Sequence, residues 1–248
     1  MKSQRLFEIL NYVNARKFCS TAELLKSFEV SPATLNRDLT ELAATHKLRK
    51  VRGGVSSLVP DDGGGSPATS FRSRLRRNLE NKALAARHAA ELVRDGDILF
   101  LDSSTTVYQL ARQLQSSTFA NLTIVTNSLL IIQDFPLFPA HYFLIALGGN
   151  YDMQLNAFLG QMTVREVEHL AFSRCFFSAL GIDGGGMYSR HENHALFLNR
   201  VLAKSAEKNL VITEDKFGKT GIFRIAAVPE IDRLICESGE RISGDIKL

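Results

Sequence analysis

Residues 31–42 read SPATLNRDLTEL. Ser31 followed by Pro32 is a helix start: a hydroxyl that accepts from an orphan amide, then a residue whose lack of an N–H costs nothing in the first turn. Leu35, Leu39 and Leu42 recur at i, i+4 and i+7 and make one apolar face. The opposite face carries Ala33, Arg37 and Thr40, with Thr34 and Asn36 on its flanks. That outer surface is small and polar near the helix start, which suits close approach to a DNA major groove. Arg37 can grip the two acceptors of guanine, and Asn36 the donor and acceptor of adenine.

The flanking residues extend this reading. Leu6, Ile9, Leu10 and Val13 fall at helical spacing across 3–15. Ser20 and Glu23 form an S-x-x-E capping box at the start of STAELLKSF. After the third helix, HKLRKVRGGV sets Lys47, Arg49, Lys50 and Arg52 ahead of two glycines. The pattern predicts a β-wing whose cations meet phosphates and add affinity and position without reading sequence. A three-helix module used for protein contacts, with solvated cations, is the competing reading.

Charge separates the chain into two parts. Residues 1–59 hold ten Lys/Arg against five Asp/Glu; with +4 on all 248 residues, the remainder carries −1. A small basic unit joined to a near-neutral larger one is the balance of a DNA reader attached to something else. LVPDDGGGSPATS (58–70) has three consecutive glycines, two prolines and no apolar period. It marks the boundary: a winged helix-turn-helix over 1–57, a linker over 58–70 and an α/β domain over 71–248. No stretch of 18 apolar residues spans a bilayer, and MKSQRLFEILNYVNARK lacks the apolar core of a signal peptide. Three dispersed cysteines, Cys19, Cys175 and Cys236, fit a reducing cytosol better than a disulfide framework. A cytoplasmic protein with no membrane contact and no cofactor is expected.

Beyond the linker, FRSRLRR and NKALAARHAAELV read as helices. ILFLD (98–102), LTIVT (122–126), HYFLIAL (141–147), RCFFSAL (174–180), NLVIT (209–213) and, as the final strand, DRLICE (232–237) read as strands. Helices fall between them. Near-continuous apolar strands alternating with helices indicate a mostly parallel sheet covered on both faces. In ILFLDSSTTVYQL the first strand runs through Asp102 and four hydroxyls, Ser103, Ser104, Thr105 and Thr106, straight into a helix. Free amides there make a natural anion site; Ser103 or Ser104 serving only as an N-cap is the alternative. Thr126-Asn127-Ser128 and Leu147-Gly148-Gly149-Asn150 end the next two strands, so three such loops share one sheet edge.

These residues resemble the DeoR-type bacterial transcription regulators. Val30, Ser31, Thr34, Leu35, Arg37, Asp38, Leu39 and Leu42 match the family's recognition segment, and Arg49, Gly53 and Gly54 its wing. Asn36 stands where an arginine is usual, and Thr45-His46-Lys47 where the link before the wing usually has a glycine. The D-S-x-T-T, V-T-N-S, L-G-G and G-x-D segments and a late K-F-G resemble the family's sensor domain, which shares its fold with ribose-5-phosphate isomerase and coenzyme A transferases. The resemblance implies double-stranded operator DNA as partner, a phosphorylated sugar or sugar acid as effector, and a homo-oligomer, dimer or tetramer. It places Asp102, Ser103, Ser104, Thr105 and Thr106 on the phosphate loop, and Thr126, Asn127 and Ser128 on a second loop. Gly148 and Gly149 fall on a third, Asp183 on the next motif, and Lys216 as a partner for the anion.

Two other functions compete with a repressor. A sugar-phosphate isomerase or deaminase would need Asp102 or Asp183 as general base. A metal sensor would need more ligands than His191 and His194. Arg72, Arg74, Arg76 and Arg77 read as the solvated face of a linker helix, with contact to the DNA backbone or a partner subunit as the alternative.

Overall fold

The computed structural model describes residues 2–16, 18–28, 30–45, 48–57 and 71–242, so the expected linker and the wing's Lys47 lie outside the described residues. The chain divides into two compact units, Met1–Pro67 and Ala68–Leu248.

The first unit runs α1 (Lys2–Arg16), β1 (Phe18–Ser20), α2 (Thr21–Phe28), α3 (Pro32–Ala44), β2 (Leu48–Val51) and β3 (Gly54–Ser57). Leu35, Leu39 and Leu42 bury against Ile9 and Val13 of α1, Leu24 of α2, and Leu48 and Val55 of the wing. Asp38 also lies on the inner side of α3 and is buried. Arg5 donates to both its oxygens, Nε at 2.7 Å and Nη2 at 3.3 Å, and so fastens α1 to α3. The capping box forms by half. Glu23 N–H donates to Ser20 Oγ at 3.1 Å, while the Glu23 carboxylate faces the Tyr12 hydroxyl and Arg16.

The wing has one strand more than the sequence pattern suggests. Strand β1 pairs antiparallel with β3, giving the order β1-β3-β2. Three residues bracketed by helices carry too little periodicity to read. The pairing explains the two glycines: Gly53 turns the hairpin at φ +85°, and a Cβ on Gly54 would collide with the Cys19 carbonyl.

The second unit begins with α4 (Phe71–Arg76) and α5 (Leu79–Ala90). Its main sheet comprises β4 (Ile98–Leu101), β5 (Thr123–Thr126), β6 (Phe143–Ala146), β9 (Phe172–Phe177), β12 (Ser205–Val211), β14 (Arg233–Cys236) and β15 (Gly239–Ile242). Their spatial order is β15-β14-β12-β9-β4-β5-β6, parallel throughout except the β14–β15 hairpin. Alternate residues of the strands face opposite layers. Leu99, Leu101, Ile124, Phe176 and Val211 pack with α5, α6 (Thr105–Leu114) and α7 (Leu129–Asp134). Phe100, Val125, Cys175, Phe177 and Leu210 pack with α8 (Gln161–Glu168) and α9 (Glu192–Ala203). Two small antiparallel sheets flank this body: β7 (Asn150–Asp152) with β8 (Ala157–Leu159), and β10 (Gly181–Asp183) with β11 (Gly186–Ser189) and β13 (Phe223–Ala226).

DRLICE is therefore not the final strand. Strand β15, Gly-Glu-Arg-Ile, follows a tight turn, and its charged alternation hides it as an edge strand. Two other boundaries shift: RCFFSAL pairs only to Phe177, and β12 begins at Ser205, where the sequence suggests helix.

Chain order and spatial order place a switch point between β4 and β9. From β4 the chain builds outward through β5 and β6, then returns to lay β9, β12 and β14 on the other side. Ligands of open α/β sheets bind where the strand order reverses, beyond the carboxyl ends.

Leu39 is 3% exposed and central to the first unit's core. Leu39→Ala is expected to cost that unit about 2–5 kcal/mol. Calorimetric unfolding should show its transition moving down while that of the α/β unit stays in place.

Candidate functional site

The first unit offers one polar surface. Ser31 caps α3, its Oγ accepting from Thr34 N–H at 3.2 Å and bonding the Thr34 hydroxyl at 2.9 Å. Ala33, Asn36, Arg37 and Thr40 are exposed, Thr34 half-buried, and Arg49, Lys50 and Arg52 of the wing exposed. The structure joins helix and wing at one point. Lys50 Nζ donates to Asn36 Oδ1 at 2.9 Å and Thr40 Oγ1 at 2.7 Å. Lys50 shares the strand face of buried Leu48, so the neighbouring Arg49 side chain leaves from the other face.

In the second unit, the end of β4 sits at the switch point. Asp102 is fully buried, and its carboxylate gathers donors from three elements. Oδ1 accepts from Ser103 N–H at 2.7 Å and from His194 Nε2 at 3.3 Å; Oδ2 accepts from the amides of Ser104 and Ser178, each at 3.3 Å. Burial opposes ionisation of this carboxyl. The His194 bond and charge, then the amides, outweigh it and hold the pKa below the ordinary value. Asp102 is thus the pin of the loop, not a group facing a ligand, and a poor general base.

Two of the amides expected to be free for an anion, those of Ser103 and Ser104, are therefore occupied. Ser104 Oγ accepts from Val107 N–H at 3.3 Å as N-cap. The amides of Thr105 and Thr106, the first two of α6, have no acceptor within the helix. Thr106 Oγ1, Asn127 Oδ1 and Ser178 Oγ are buried without a hydrogen-bond partner.

The second and third loops are tied down by their neighbours. Thr126 Oγ1 donates to the Leu101 carbonyl at 2.6 Å, and Ser128 caps α7. Asn127 Nδ2 donates to the Phe158 carbonyl at 3.0 Å, fixing its Oδ1 outward from that bond. Gly148 donates its N–H to Glu166 at 2.9 Å and accepts from Thr163 Oγ1 at 2.7 Å. Gly149 takes φ +136°, where a Cβ would collide with Thr163. Asp183 serves the β10–β11 turn instead, accepting from Gly185 N–H at 2.8 Å and from the Tyr188 hydroxyl.

Lys216 ends a 3-10 turn at Glu214–Lys216. Desolvation pulls its pKa down to about 8; Arg74 lowers it further, while Asp215 and Asp102 oppose. Arg74 is not on a solvated face. Burial lowers its pKa too, Asp102 and Asp152 acting against the shift. Its Nη2 donates to the Gln154 carbonyl at 2.7 Å, and its Nε is buried without a partner. Lys82 is buried and donates to the carbonyls of Arg74 and Arg77; burial, then Lys216 and Arg74, bring its pKa to about 8. Three cations thus lie within electrostatic reach of one another beside an anion that is already saturated.

The sequence pattern marks neither Lys82 nor Ser178 as a site residue and reads Arg74 as solvated. Two signals were present. Lys82 lies on the stripe of Ala85, Ala86 and Ala89, and Arg74 lies three residues beyond buried Phe71. A cation on an apolar helix face is either paired or waiting for a partner. His191 and His194 are not a metal pair: both ring nitrogens of His194 are engaged, by Asp102 and by Ser189 Oγ at 3.2 Å.

Residues 77–238 match the family model "DeoR C terminal sensor domain", and residues 5–60 match "DeoR-like helix-turn-helix domain". The chain belongs to the DeoR family. It is 31% identical over 243 residues to a lactose phosphotransferase system repressor of Staphylococcus epidermidis, covering 96% of this chain and 93% of that one. To the repressor of the same name from Streptococcus mutans it is 30% identical over 244 residues, covering 97% and 95%. Among solved structures, ribose 5-phosphate isomerase A of Methanocaldococcus jannaschii is similar at a TM-score of 0.42 and 14% identity over 56% of this chain and 55% of that one, about half the isomerase's length. Translation initiation factor eIF-2B of Pyrococcus horikoshii is similar at 0.49 and 16% identity, over 68% and 66%. Lys82 and Lys216 fall within the matched sensor domain, Arg74 just before it, and the α3–wing surface within the matched helix-turn-helix domain. No helix among the described residues is long and apolar enough to cross a membrane.

Removing the pin tests this geometry. Asp102→Ala strands the buried amides of Ser103 and Ser178 and breaks the buried pair with His194. A loss on the order of 3 kcal/mol from the α/β unit is expected in denaturant titration.

Proposed function

We propose that this DeoR-family chain represses a sugar-metabolism operon and that a phosphorylated sugar or sugar acid, bound beyond β4 and β9, changes its hold on operator DNA. The observation that carries the effector class is the depressed ammonium of Lys216 beside Arg74 and Lys82. A dianion would relieve these partly desolvated cations, and the unpartnered Arg74 Nε and Thr106 Oγ1 would supply donors for its oxygens. The names of the related repressors point to a phosphotransferase system, in keeping with a phosphorylated sugar.

Ser31, Ala33, Thr34, Asn36, Arg37 and Thr40 would meet base edges and nearby phosphates, with Arg49 and Arg52 on the backbone and Lys50 where the wing meets the recognition helix. One such helix reads few base pairs, so a two-fold dimer, or a tetramer built from it, is the form that would bind. Effector and operator act on each other by linkage, each weakening the arrangement the other selects. An enzymatic role fits less well, because a carboxylate accepting from three amides and an imidazole is a poor proton acceptor.

The test is an electrophoretic mobility shift on DNA upstream of the chain's own reading frame, at low salt, with a panel of sugar phosphates. A shift that at least one phosphorylated sugar alters is expected. Lys216→Met should retain the shift and require about tenfold more effector or greater. No shift under any low-salt condition contradicts the repressor reading.

A further inference from the structure

Asn36 carries an amide that, taken alone, can grip adenine by offering one acceptor and one donor. The wing changes that offer. A lysine ammonium has only donors, so the Asn36 atom facing Lys50 Nζ at 2.9 Å is the amide oxygen. The same ammonium donates to Thr40 Oγ1 at 2.7 Å, and the Thr40 hydroxyl gives its own hydrogen to the Asn36 backbone carbonyl at 2.6 Å. The two side-chain acceptors of this knot, Asn36 Oδ1 and Thr40 Oγ1, each take a hydrogen from Lys50. What remains directed outward is the Asn36 NH₂ and the third hydrogen of Lys50: donors only, carrying one positive charge.

We propose that Asn36 and Lys50 act as a single specificity unit that selects guanine in the major groove and rejects adenine. The inference rests on the DNA-binding reading above. Guanine presents two acceptors, N7 and O6, to a pair of donors. Adenine presents N7 beside an amino group, and that amino group needs the acceptor that Lys50 has taken. A second lone pair on Oδ1 does not restore the contact, because the ammonium at hydrogen-bonding distance repels the amino hydrogens. Arg49, one residue away and on the other strand face, cannot substitute for Lys50 in the knot. Lys50 is thereby a specificity residue and not merely a phosphate contact. All three side chains are exposed, so replacing them leaves the core of the unit intact.

The experiment is selection of binding sites from randomised duplex DNA by the full chain, by Asn36→Ala and by Lys50→Met. The base pair read by the unit is the one whose preference disappears in Asn36→Ala. Guanine is expected there for the unaltered chain, and Lys50→Met should move the ratio of guanine to adenine about tenfold or more towards adenine. Adenine at that position in the unaltered chain means that Lys50 leaves the knot for a phosphate, and overturns the proposal. So does a guanine preference that survives Lys50→Met, or an Asn36→Ala selection identical to that of the unaltered chain. Failure of the unaltered chain to enrich any sequence is a different result, which removes the DNA-binding reading itself.

Discussion

The carboxylate of Asp102 holds three separately folded pieces of the α/β unit in one place. It takes the amides at the start of α6, the amide of Ser178 at the end of β9, and the imidazole of His194 in the first turn of α9. β4 and β9 are neighbours that lead to opposite halves of the sheet, so this one buried anion closes the point at which the strand order reverses. A buried charge is tolerated only when donors surround it. That requirement dictates where Ser178 and His194 must stand. Its own lone pairs are taken by these donors, so Arg74 and Lys216, which feel its charge, make no hydrogen bond to it.

The consequence is electrostatic. Arg74, Lys82 and Lys216 come from a short helix, the helix after it and a turn on the far side of the sheet, yet each lowers the proton affinity of the others or feels the same acids. Arg74 lies three residues into α4, the first described element after the 58–70 segment. Lys82 donates to the carbonyls that end that helix. An anion that draws on Arg74 therefore pulls on the element covalently next to the segment that leads to the DNA-binding unit.

Much of this was legible in the sequence, for reasons that differ by region. The period of Leu35, Leu39 and Leu42 and the run ILFL state burial directly, and burial fixes elements. Asp102, Ser104 and Ser128 were legible because helix starts need oxygen acceptors. Less legible was what depends on contacts far apart in the chain. In the sequence Asp102 reads as part of an anion loop, whereas in the fold His194, 92 residues on, and Ser178, 76 residues on, bond to its carboxylate. Arg74 was read as solvated because four arginines in seven residues look like an exposed face; only the fold shows which of them turns inward. Strands β1 and β15 are too short or too charged to carry a period. Lys50 looked like any wing cation until its partners on α3 were visible.

The proposed role of the cluster of Arg74, Lys82 and Lys216 is to take an anion. The most direct measurement is calorimetric titration of a sugar phosphate at pH 8 in buffers of different ionisation heat. Lys216 and Lys82 are each only partly protonated there. Placing a dianion beside them raises their proton affinity, so binding should draw in about half a proton or more per site. Affinity should then fall as pH rises above 8. Binding with the same observed heat in every buffer, and with no loss of affinity on the alkaline side, would contradict the claim.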